Sequence, residues 1–390
     1  MLQRLQPLRN SGLFHNLPQF GPDVGGLTAI VCGANGISGF HALRSLLDTP
    51  RWSRIFLVSR SPLCEGAKSF FTNEQLSRVT HVPVDLSSPA ESIAESLQQA
   101  QLKAEYLFYY AYVQPKSVLD PMSPEAAKAL IKTNVPMSQN LLDAMSLAGI
   151  VPKRILLQTG GKNYGMHLGR FPGTAWNVVR PFGIIGASPN SLLNMFVSFA
   201  IYAAVQANEG QPIEFGGDLT AWQFEAMHST ARLTGYLSEW AVLEPDCANE
   251  AFNAVGGATL SWDRFFSALV QWWGVLKGVL GPRMDDHQYS KVMSLGGDFK
   301  NPLGYGPPQE MKRRFTLQEW AEGEVNRRTW KSLMESGDFA YLSFGTASLA
   351  KTRKFGFNGF VNPLESVPEM YLESQKLGML PKMAAQTSMI

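Results

Sequence analysis

The sequence predicts an α/β fold in which a doubly wound parallel β-sheet is joined to a smaller, mixed C-terminal lobe. Short apolar runs of β-strand composition alternate with helical stretches up to residue 210. The first of these runs leads directly into a glycine-rich turn. Beyond residue 210 the alternation gives way to short strands, tryptophans and helices. Because strands that alternate with helices usually form one parallel sheet with helices on both faces, these observations define the fold class.

The predicted elements follow one another closely along the chain. The first strand, at residues 27–32, is rich in β-branched residues and ends in glycines, and the apolar spacing after it predicts a helix that ends before Asp48. Further strands are predicted at residues 54–58, 82–84, 106–112, 154–158 and 176–180. Helices are predicted at residues 41–47, 124–147, 192–206, 230–243 and 262–280.

The order of these elements predicts how the chain divides into domains. Residues 1–25 hold arginines and prolines without a continuous apolar run, so we expect a loosely held leader there. The sheet domain is expected at 26–210, the C-terminal lobe with its helices at 211–380, and a frayed tail at 381–390.

The composition excludes several classes of protein. Hydrophobic residues make up 45% of the chain and charged residues 17%, which excludes a largely disordered chain. The 34 basic and 32 acidic residues give a net charge of +2, which argues against a nucleic-acid partner. Three scattered cysteines without CxxC spacing predict no disulfide framework and no metal site, and favour a reducing compartment, the cytoplasm. No apolar run reaches the ~20 residues of a membrane span.

Three glycines, Gly33, Gly36 and Gly39, form a GxxGxxG turn between the first strand and the first helix. In such a turn the first glycine permits the sharp bend, the second lets the backbone approach a pyrophosphate, and the third allows close packing of helix on strand. The helix N-terminus adds N–H donors and the positive end of a dipole. Because a strand precedes the turn and a helix follows it, the sequence predicts a Rossmann-type dinucleotide site.

The end of the second strand decides between the two nicotinamide cofactors. An acidic residue there binds the ribose 2′-hydroxyl of NAD, whereas an arginine accommodates the 2′-phosphate of NADP. The sequence at this point is Ser59-Arg60-Ser61, which favours NADP(H); a solvated surface arginine is the alternative interpretation. Asp85 follows the third strand, where it is placed to meet the adenine or to cap a helix.

Six segments spread over the chain resemble one family of enzymes. They are GxxGxxG at 33–39, LVSRSP at 57–62, QTGGKNYG at 158–165, VVRPFGIIGASPNSLLN at 178–194, NEAFNAVGG at 249–257 and AKTRKFGF at 350–357. With these segments in order, the chain resembles the progesterone 5β-reductase/iridoid synthase-like short-chain dehydrogenases over residues 26–383. The residues of these segments are most similar to those of fungal members, which commonly serve secondary metabolism.

The resemblance implies an enzyme that uses NADPH to reduce the carbon–carbon double bond of an enone or enal on a hydrophobic small molecule. In that family, hydride goes to the β carbon, and a lysine and a tyrosine hold the oxyanion of the developing enolate. Lys162 matches the lysine, and Tyr164 matches the tyrosine two places after it, which is not the family's catalytic one. Tyr112 is placed to line the substrate pocket or to pack. Whether the chain forms a homodimer stays open.

The predicted cofactor contacts come from the glycine turn, from the strand ends and from positions that match the family's motifs. They are Gly33, Asn35, Gly36, Ile37, Gly39, Ser59, Arg60, Asp85, Leu86, Tyr110, Ala111, Gly160, Ile184, Ser191 and Leu193. The assignments of Ile184, Ser191 and Leu193 rest on the resemblance alone.

The chain departs from the family where the catalytic tyrosine is expected. Family members carry a helix with an NFYY-type motif before the next strand, whereas here the segment 165–173 leads almost directly to Trp176. A crossover between parallel strands takes at least about 10–12 residues and normally a helix, so one face of the sheet is expected to lose its cover. Two alternatives to an enone reductase stay open: a non-reductive homologue that isomerises, cyclises or only binds its ligand, and a truncated gene model.

Overall fold

The computed structural model describes residues 6–113, 124–160, 171, 173–189, 194–215, 222–281 and 346–384. Their strands are β1 (Leu8–Ser11), β2 (Phe14–Pro18), β3 (Leu27–Cys32), β4 (Trp52–Ser59), β5 (Val79–Pro83), β6 (Tyr106–Tyr109), β7 (Arg154–Gln158), β8 (Ala175–Pro181), β9 (Ile184–Ile185), β10 (Ile213–Glu214), β11 (Ala226–Met227), β12 (Ser229–Thr230), β13 (Glu250–Ala254), β14 (Thr259–Leu260) and β15 (Val279–Leu280). Their helices are α1 (Ile37–Leu47), α2 (Glu65–Lys68), α3 (Asn73–Ser77), α4 (Ala90–Gln99), α5 (Pro124–Leu147), α6 (Met195–Asn208), α7 (Ala231–Leu243), α8 (Trp262–Trp273), α9 (Ala350–Phe355) and α10 (Pro363–Lys376), with a 3-10 helix at Pro245–Cys247.

Two compact units contain these elements. The first comprises Met1–Pro181, Ala231–Ala254 and Ser348–Phe360, and the second comprises Phe182–Thr230, Val255–Ala347 and Val361–Ile390. Helix α7 and strand β13 therefore lie in the unit of the sheet, whereas the predicted domain division at residue 210 assigns them to the C-terminal lobe. The chain enters the second unit three times, a pattern that local composition does not show.

A seven-stranded parallel sheet forms the centre of the first unit, in the order β13-β8-β7-β6-β3-β4-β5 among the described strands. This confirms the predicted fold class. From β3 the chain adds strands outward to β5 on one side, and from β6 it adds strands outward to β13 on the other. The strand order thus reverses between β3 and β6, and open α/β sheets bind their ligands at such a switch point.

Helices cover both faces of the sheet. Helices α4 and α5 share one buried apolar core with Ile30, Leu107 and Ile155, which all point to the same face. The strand registers place Phe252 of β13 on the opposite face, where its ring meets Trp240 of α7 at 5.4 Å. The sheet is therefore doubly wound, as the alternation of strands and helices predicts.

Several predicted boundaries are confirmed, and two are corrected for identifiable reasons. Strands β3 and β7 and helix α5 have the predicted bounds. The strand predicted at 106–112 ends at Tyr109, and the backbone of Val113 then turns to Asn134, which accepts from its N–H at 2.7 Å and donates to its carbonyl at 2.9 Å. The helix predicted at 262–280 ends at Trp273, because Gly274 adopts the left-handed conformation (φ 68°) that closes helices.

The short connection between β7 and β8 does not interrupt the sheet. The two strands pair in parallel along their length. Thr174 anchors the end of the connection, since its N–H donates to the Phe171 carbonyl at 3.1 Å and its Oγ1 donates to the Pro152 carbonyl at 2.6 Å. Phe171 is buried in the core on the α4 and α5 face, so this face has at least one apolar side chain from the connection.

The segment predicted as a loosely held leader contains a β-hairpin that packs on the first unit. Phe14 and Leu17 of β2 are each 1% exposed. Asp48, at the end of α1, pairs with Arg9 at 3.1 Å and accepts a hydrogen bond from the Tyr236 hydroxyl at 2.7 Å. Burial of Asp48 opposes its ionisation, but hydrogen bonding from Tyr236 and nearby positive charge lower the pKa of this carboxyl overall. The leader prediction is wrong here because the hairpin's partners lie far away in the sequence.

A buried ion pair holds α7 to the start of β4. Glu239 Oε1 accepts from the indole Nε1 of Trp52 at 2.8 Å and pairs with Arg51 Nε at 3.1 Å. The side chains of Arg51 and Glu239 are only 9% and 5% exposed. Burial raises the pKa of Glu239, although the charge of Arg51 and the hydrogen bond from Trp52 act in the opposite direction.

An aromatic and aliphatic core organises the second unit. Helices α6, α8 and α10 supply it, and Phe199 meets both Phe265 and Phe266 at ring distances of 5.3 and 5.4 Å. The Tyr371 hydroxyl of α10 donates to the Phe196 carbonyl of α6 at 3.0 Å. In the described part of the chain, no helix is both long and apolar enough to cross a membrane.

Candidate functional site

The glycine turn lies at the switch point of the sheet. It leaves the end of β3, and the neighbouring strand β6 leads into Tyr110 and Ala111 beside it. Gly33 has a φ of +82°, and a Cβ on it would lie 2.7 Å from both the Ala111 nitrogen and the Tyr110 carbonyl carbon. Only glycine fits between these backbones, so the predicted role of Gly33 in the sharp bend has a steric cause.

The other two glycines of the turn meet different surroundings. A Cβ on Gly39 would lie 2.2 Å from the carbonyl oxygen of Gly33, so helix α1 can sit on the turn only with glycine there. Among the described residues, a Cβ on Gly36 would meet only that same oxygen, at an ordinary 3.5 Å. Packing within the protein therefore does not require glycine at position 36. The free space above it is where a phosphate group could approach the backbone, and the residues present fit a bound dinucleotide.

The first turn of α1 has the charge and the N–H donors that favour binding of an anion. It carries no acidic residue, and Gly36 at its N-cap provides no side chain to occupy the free N–H groups. The hydroxyl of Ser38 accepts from Gln158 Nε2 of β7 at 2.8 Å, which fixes the first turn against the sheet. Gln158 was not among the predicted site residues. Its signal in the sequence was its place at the start of the QTGGKNYG segment.

The loop after β4 presents an exposed arginine. Arg60 is exposed, and the residues on either side of it are tied down. Ser59 Oγ donates to the Ser61 carbonyl at 2.8 Å, and Asn35 Nδ2 of the glycine turn donates to the same carbonyl at 2.7 Å. Asn35 and Ser59 thus both donate to the loop backbone, and their predicted contact with the cofactor stays a prediction.

The end of β5 brings a carboxylate near Arg60. Asp85 Oδ1 accepts from the N–H of Ser87 at 2.9 Å and from its hydroxyl at 2.7 Å. The Ser87 backbone hydrogen bond is the main cause of a lowered pKa at Asp85, and the positive charge of Arg60 contributes. Asp85 thus closes the turn before α4 but does not cap that helix, whose N-cap is Pro89 without a side-chain hydrogen bond. The carboxylate is exposed at the Arg60 end of the site, and its contact with the adenine stays a prediction. Leu86 beside it is 5% exposed.

The remaining predicted contacts separate into distinct environments. The backbone carbonyl of Tyr110 borders the turn at Gly33. The Tyr110 side chain is 8% exposed, and its burial raises the pKa of its phenol. Tyr112 is 60% exposed just beyond β6. Gly160 follows β7, and no atom of the described residues lies within 4 Å of where its Cβ would be. Ile184 pairs with Ser229 within the second unit. Lys162, Tyr164, Ser191 and Leu193 lie outside the described residues.

The second unit contains a buried histidine that no sequence motif marks. His228, next to β12 in the second unit, is 2% exposed, and its ring meets that of Phe196 edge-on at 5.3 Å. Burial lowers the pKa of His228 to about 4, although a backbone hydrogen bond at Ala226 acts in the opposite direction. The imidazole is therefore neutral at pH 7. Because an unfolded histidine titrates near pH 6.5, acidification below that pH favours the unfolded state.

Known proteins are similar to this chain over most of its length. No family model matches it. The short chain dehydrogenase gsfE of Penicillium aethiopicum is 24% identical over 91% of this chain and 99% of the relative. The (S)-8-oxocitronellyl enol synthase ISY1 of Nepeta cataria is 25% identical over 87% of this chain and 89% of the relative. The 3-oxo-Delta(4,5)-steroid 5-beta-reductase of Arabidopsis thaliana is 29% identical over 48% of this chain and 45% of the relative.

Solved structures are similar to this chain in fold alone. The terminal R domain from the myxalamid PKS-NRPS biosynthetic pathway has a TM-score of 0.53 and 13% identity, and the match covers 89% of this chain and 90% of that one. The PhqB reductase domain from Penicillium fellutanum has a TM-score of 0.52 and 14% identity, with 90% and 94% covered.

The relatives and the fold agree with the resemblance that the motifs predict. Relatives named as a short chain dehydrogenase, an enol synthase and a steroid 5β-reductase align with the chain, and the sheet has the order of a dinucleotide-binding fold. The chain is therefore a homologue of the progesterone 5β-reductase/iridoid synthase-like enzymes, with the fold of the short-chain dehydrogenases.

Proposed function

We propose that this chain is an NADPH-dependent reductase of a hydrophobic small molecule that bears an enone or enal, in the biosynthesis of a secondary metabolite. The observation that carries the proposal is the glycine turn at the switch point, with free space over Gly36 and with Arg60 exposed at the end of the neighbouring strand. The relatives named as a steroid 5β-reductase and as enol synthases support the substrate class.

Each part of the proposed site has a physical role. The N–H groups at the start of α1 bind the pyrophosphate, and Arg60 pairs with the 2′-phosphate. When bound, NADPH supplies a hydride for the β carbon of the double bond. Lys162 donates a hydrogen bond to the oxygen on which negative charge collects, and Tyr164 packs beside the nicotinamide or serves as a second donor.

Replacement of Arg60 by alanine is expected to weaken NADPH binding about 10- to 100-fold and to change NADH binding little. The reason is that a charge-assisted hydrogen bond to phosphate contributes about 1.5–3 kcal/mol, and only NADPH carries the 2′-phosphate. Fluorescence titration with both nucleotides measures the effect. Arg54→Ala is the matched control, because Arg54 is an exposed arginine near the start of β4, whereas Arg60 lies in the loop that follows the end of this strand. Equal weakening of both nucleotides would contradict the assignment.

The reductase chemistry is tested by enone-dependent oxidation of NADPH. We expect the wild-type protein to consume NADPH with a suitable enone, and Lys162→Met to lower kcat about 100- to 1,000-fold with an unchanged Kd for NADPH. Lys153→Met is the control. Lys153 is an exposed lysine that directly precedes β7, at the other end of the strand from the QTGGKNYG segment, and it pairs with Glu105.

A non-reductive homologue is the second candidate, and the short stretch of sequence before Trp176 favours it. The stretch from 165 to 173 has no tyrosine to replace the family's catalytic one. In that case, folded protein binds NADPH but does not oxidise it with any enone of a broad panel. Graft of a family-type segment between Leu168 and Pro172 then creates reductase activity.

A further inference from the structure

We propose that Asn35 and Ser59 are positioning residues that select NADPH indirectly, by fixing the loop from which Arg60 reaches the 2′-phosphate. This inference rests on the proposed function, since it concerns how the same site recognises its cofactor. It differs from the expectation drawn from the sequence, in which both side chains contact the cofactor themselves.

The geometry begins at one carbonyl oxygen. The Ser61 carbonyl accepts two hydrogen bonds, one from Asn35 Nδ2 at 2.7 Å and one from Ser59 Oγ at 2.8 Å. A carbonyl oxygen has two lone pairs, so these donors fill its capacity. Asn35 belongs to the glycine turn and Ser59 to the end of β4, so the carbonyl joins two separate parts of the site.

The carbonyl on the other side of Arg60 is held in the same way. The Ser59 carbonyl accepts from the Val84 N–H at 3.1 Å, and His81 Nε2 lies 3.0 Å from it, a contact that requires the Nε2–H tautomer. Val84 follows β5 directly, and His81 lies within it. The backbone is therefore fixed on both sides of Arg60, by the turn and by the neighbouring strand.

This arrangement has a consequence for affinity. Arg60 itself is exposed, and a long exposed side chain loses conformational freedom when it binds a phosphate. A backbone that is already ordered lowers that cost, because less of the loop must be immobilised on binding. The benefit applies only to a ligand that engages Arg60, so NADPH gains from it and NADH does not. The hydrogen bonds of Asn35 and Ser59 to the Ser61 carbonyl also fix the distance between the glycine turn and the position of the 2′-phosphate.

The test is a double-mutant cycle read out by nucleotide affinity. We expect Asn35→Ala to raise the Kd for NADPH about three- to tenfold and to leave the Kd for NADH within about twofold, because the hydrogen bond to the Ser61 carbonyl is lost. Ser59→Ala shifts the ratio in the same direction, and Ser59→Thr, which keeps the hydroxyl, restores it. In the Arg60→Ala background, Asn35→Ala changes the two affinities equally little, because no arginine remains to be positioned.

The alternatives give different results. If Asn35 contacts the pyrophosphate directly, Asn35→Ala weakens NADPH and NADH alike, also in the Arg60→Ala background, and the inference is overturned. If Asn35→Ala lowers the unfolding temperature, the Ser59→Ala and Ser59→Thr pair decides the question in the same titration. If the wild-type protein prefers NADPH but the effects of Asn35→Ala and Arg60→Ala on its affinity simply add, the positioning role is refuted and the cofactor assignment stands. A wild-type protein without NADPH preference refutes the cofactor assignment and the positioning role together.

Discussion

Gly39→Ala is expected to destabilise the first unit by about 3 kcal/mol or more and to abolish nucleotide binding. The new Cβ would lie 2.2 Å from the Gly33 oxygen, 2.6 Å from the Gly33 carbonyl carbon and 2.9 Å from the Ala34 nitrogen. All three atoms are backbone, so relief requires α1 to move away from the turn, which costs more than a shift of a side chain. Urea unfolding and titration with NADPH measure the two effects.

Gly36→Ala is the informative comparison for this prediction. Within the described part of the chain its Cβ meets only the Gly33 oxygen, at 3.5 Å, so the free energy of unfolding should change little. The Kd values for NADPH and NADH should both rise more than about tenfold. Gly25→Ala serves as the control for alanine at an unstrained loop glycine, because its Cβ has an ordinary contact of 3.7 Å. If Gly36→Ala binds both nucleotides normally, the pyrophosphate does not approach the turn at this residue.

Glu239→Ala is expected to lower the free energy of unfolding by about 3–5 kcal/mol, the typical cost of removing one partner from a buried ion pair. The change leaves the Arg51 guanidinium without its carboxylate and the Trp52 indole N–H without its acceptor. Both groups are buried, so water does not replace the lost partner. Chemical denaturation monitored by tryptophan fluorescence and by far-UV circular dichroism measures the loss.

An exposed ion pair provides the control for this second prediction. Glu65 pairs with Lys68 at 2.7 Å, but its side chain is 88% exposed. Glu65→Ala should therefore alter stability by less than about 1 kcal/mol. Similar losses in the two variants would mean that burial does not set the strength of the Arg51–Glu239 pair.

Local patterns in the sequence were sufficient for the parallel sheet. The runs LTAIVC and RILLQ predict β3 and β7 with their observed bounds, because a strand buried on both faces has a continuous apolar stretch, here AIVC and ILL, instead of an alternating pattern. Contacts between distant segments carry no such local signal. The strand Glu250–Ala254 pairs with β8 as its one neighbour among the described strands. The hairpin at Leu8–Pro18 packs on Tyr236 of α7 through Ser11 and Phe14. Both were therefore assigned elsewhere.

The candidate site shows the same division between local and distant information. The spacing of Gly33 and Gly39 was sufficient to place the turn, since their steric roles depend on neighbouring backbone. The partner of Asn35 could not be read from the sequence, because its amide meets a carbonyl 26 residues later. Polar residues near a phosphate-binding turn are ambiguous in this respect: the same side chain can bind the ligand or brace the loop that does.

The N-terminal hairpin has a consequence for the order in which the protein matures. Ser11 and the Tyr236 hydroxyl lie 3.2 Å apart in space but 225 residues apart in the chain. At about 5–20 residues per second, a ribosome needs roughly 10 to 45 s to synthesise the intervening polypeptide. During that interval the buried face of the hairpin, with Phe14 and Leu17, has no docking surface on α7. Burial of Phe14 and Leu17 is therefore among the last steps of folding, because it waits until α7 has been synthesised.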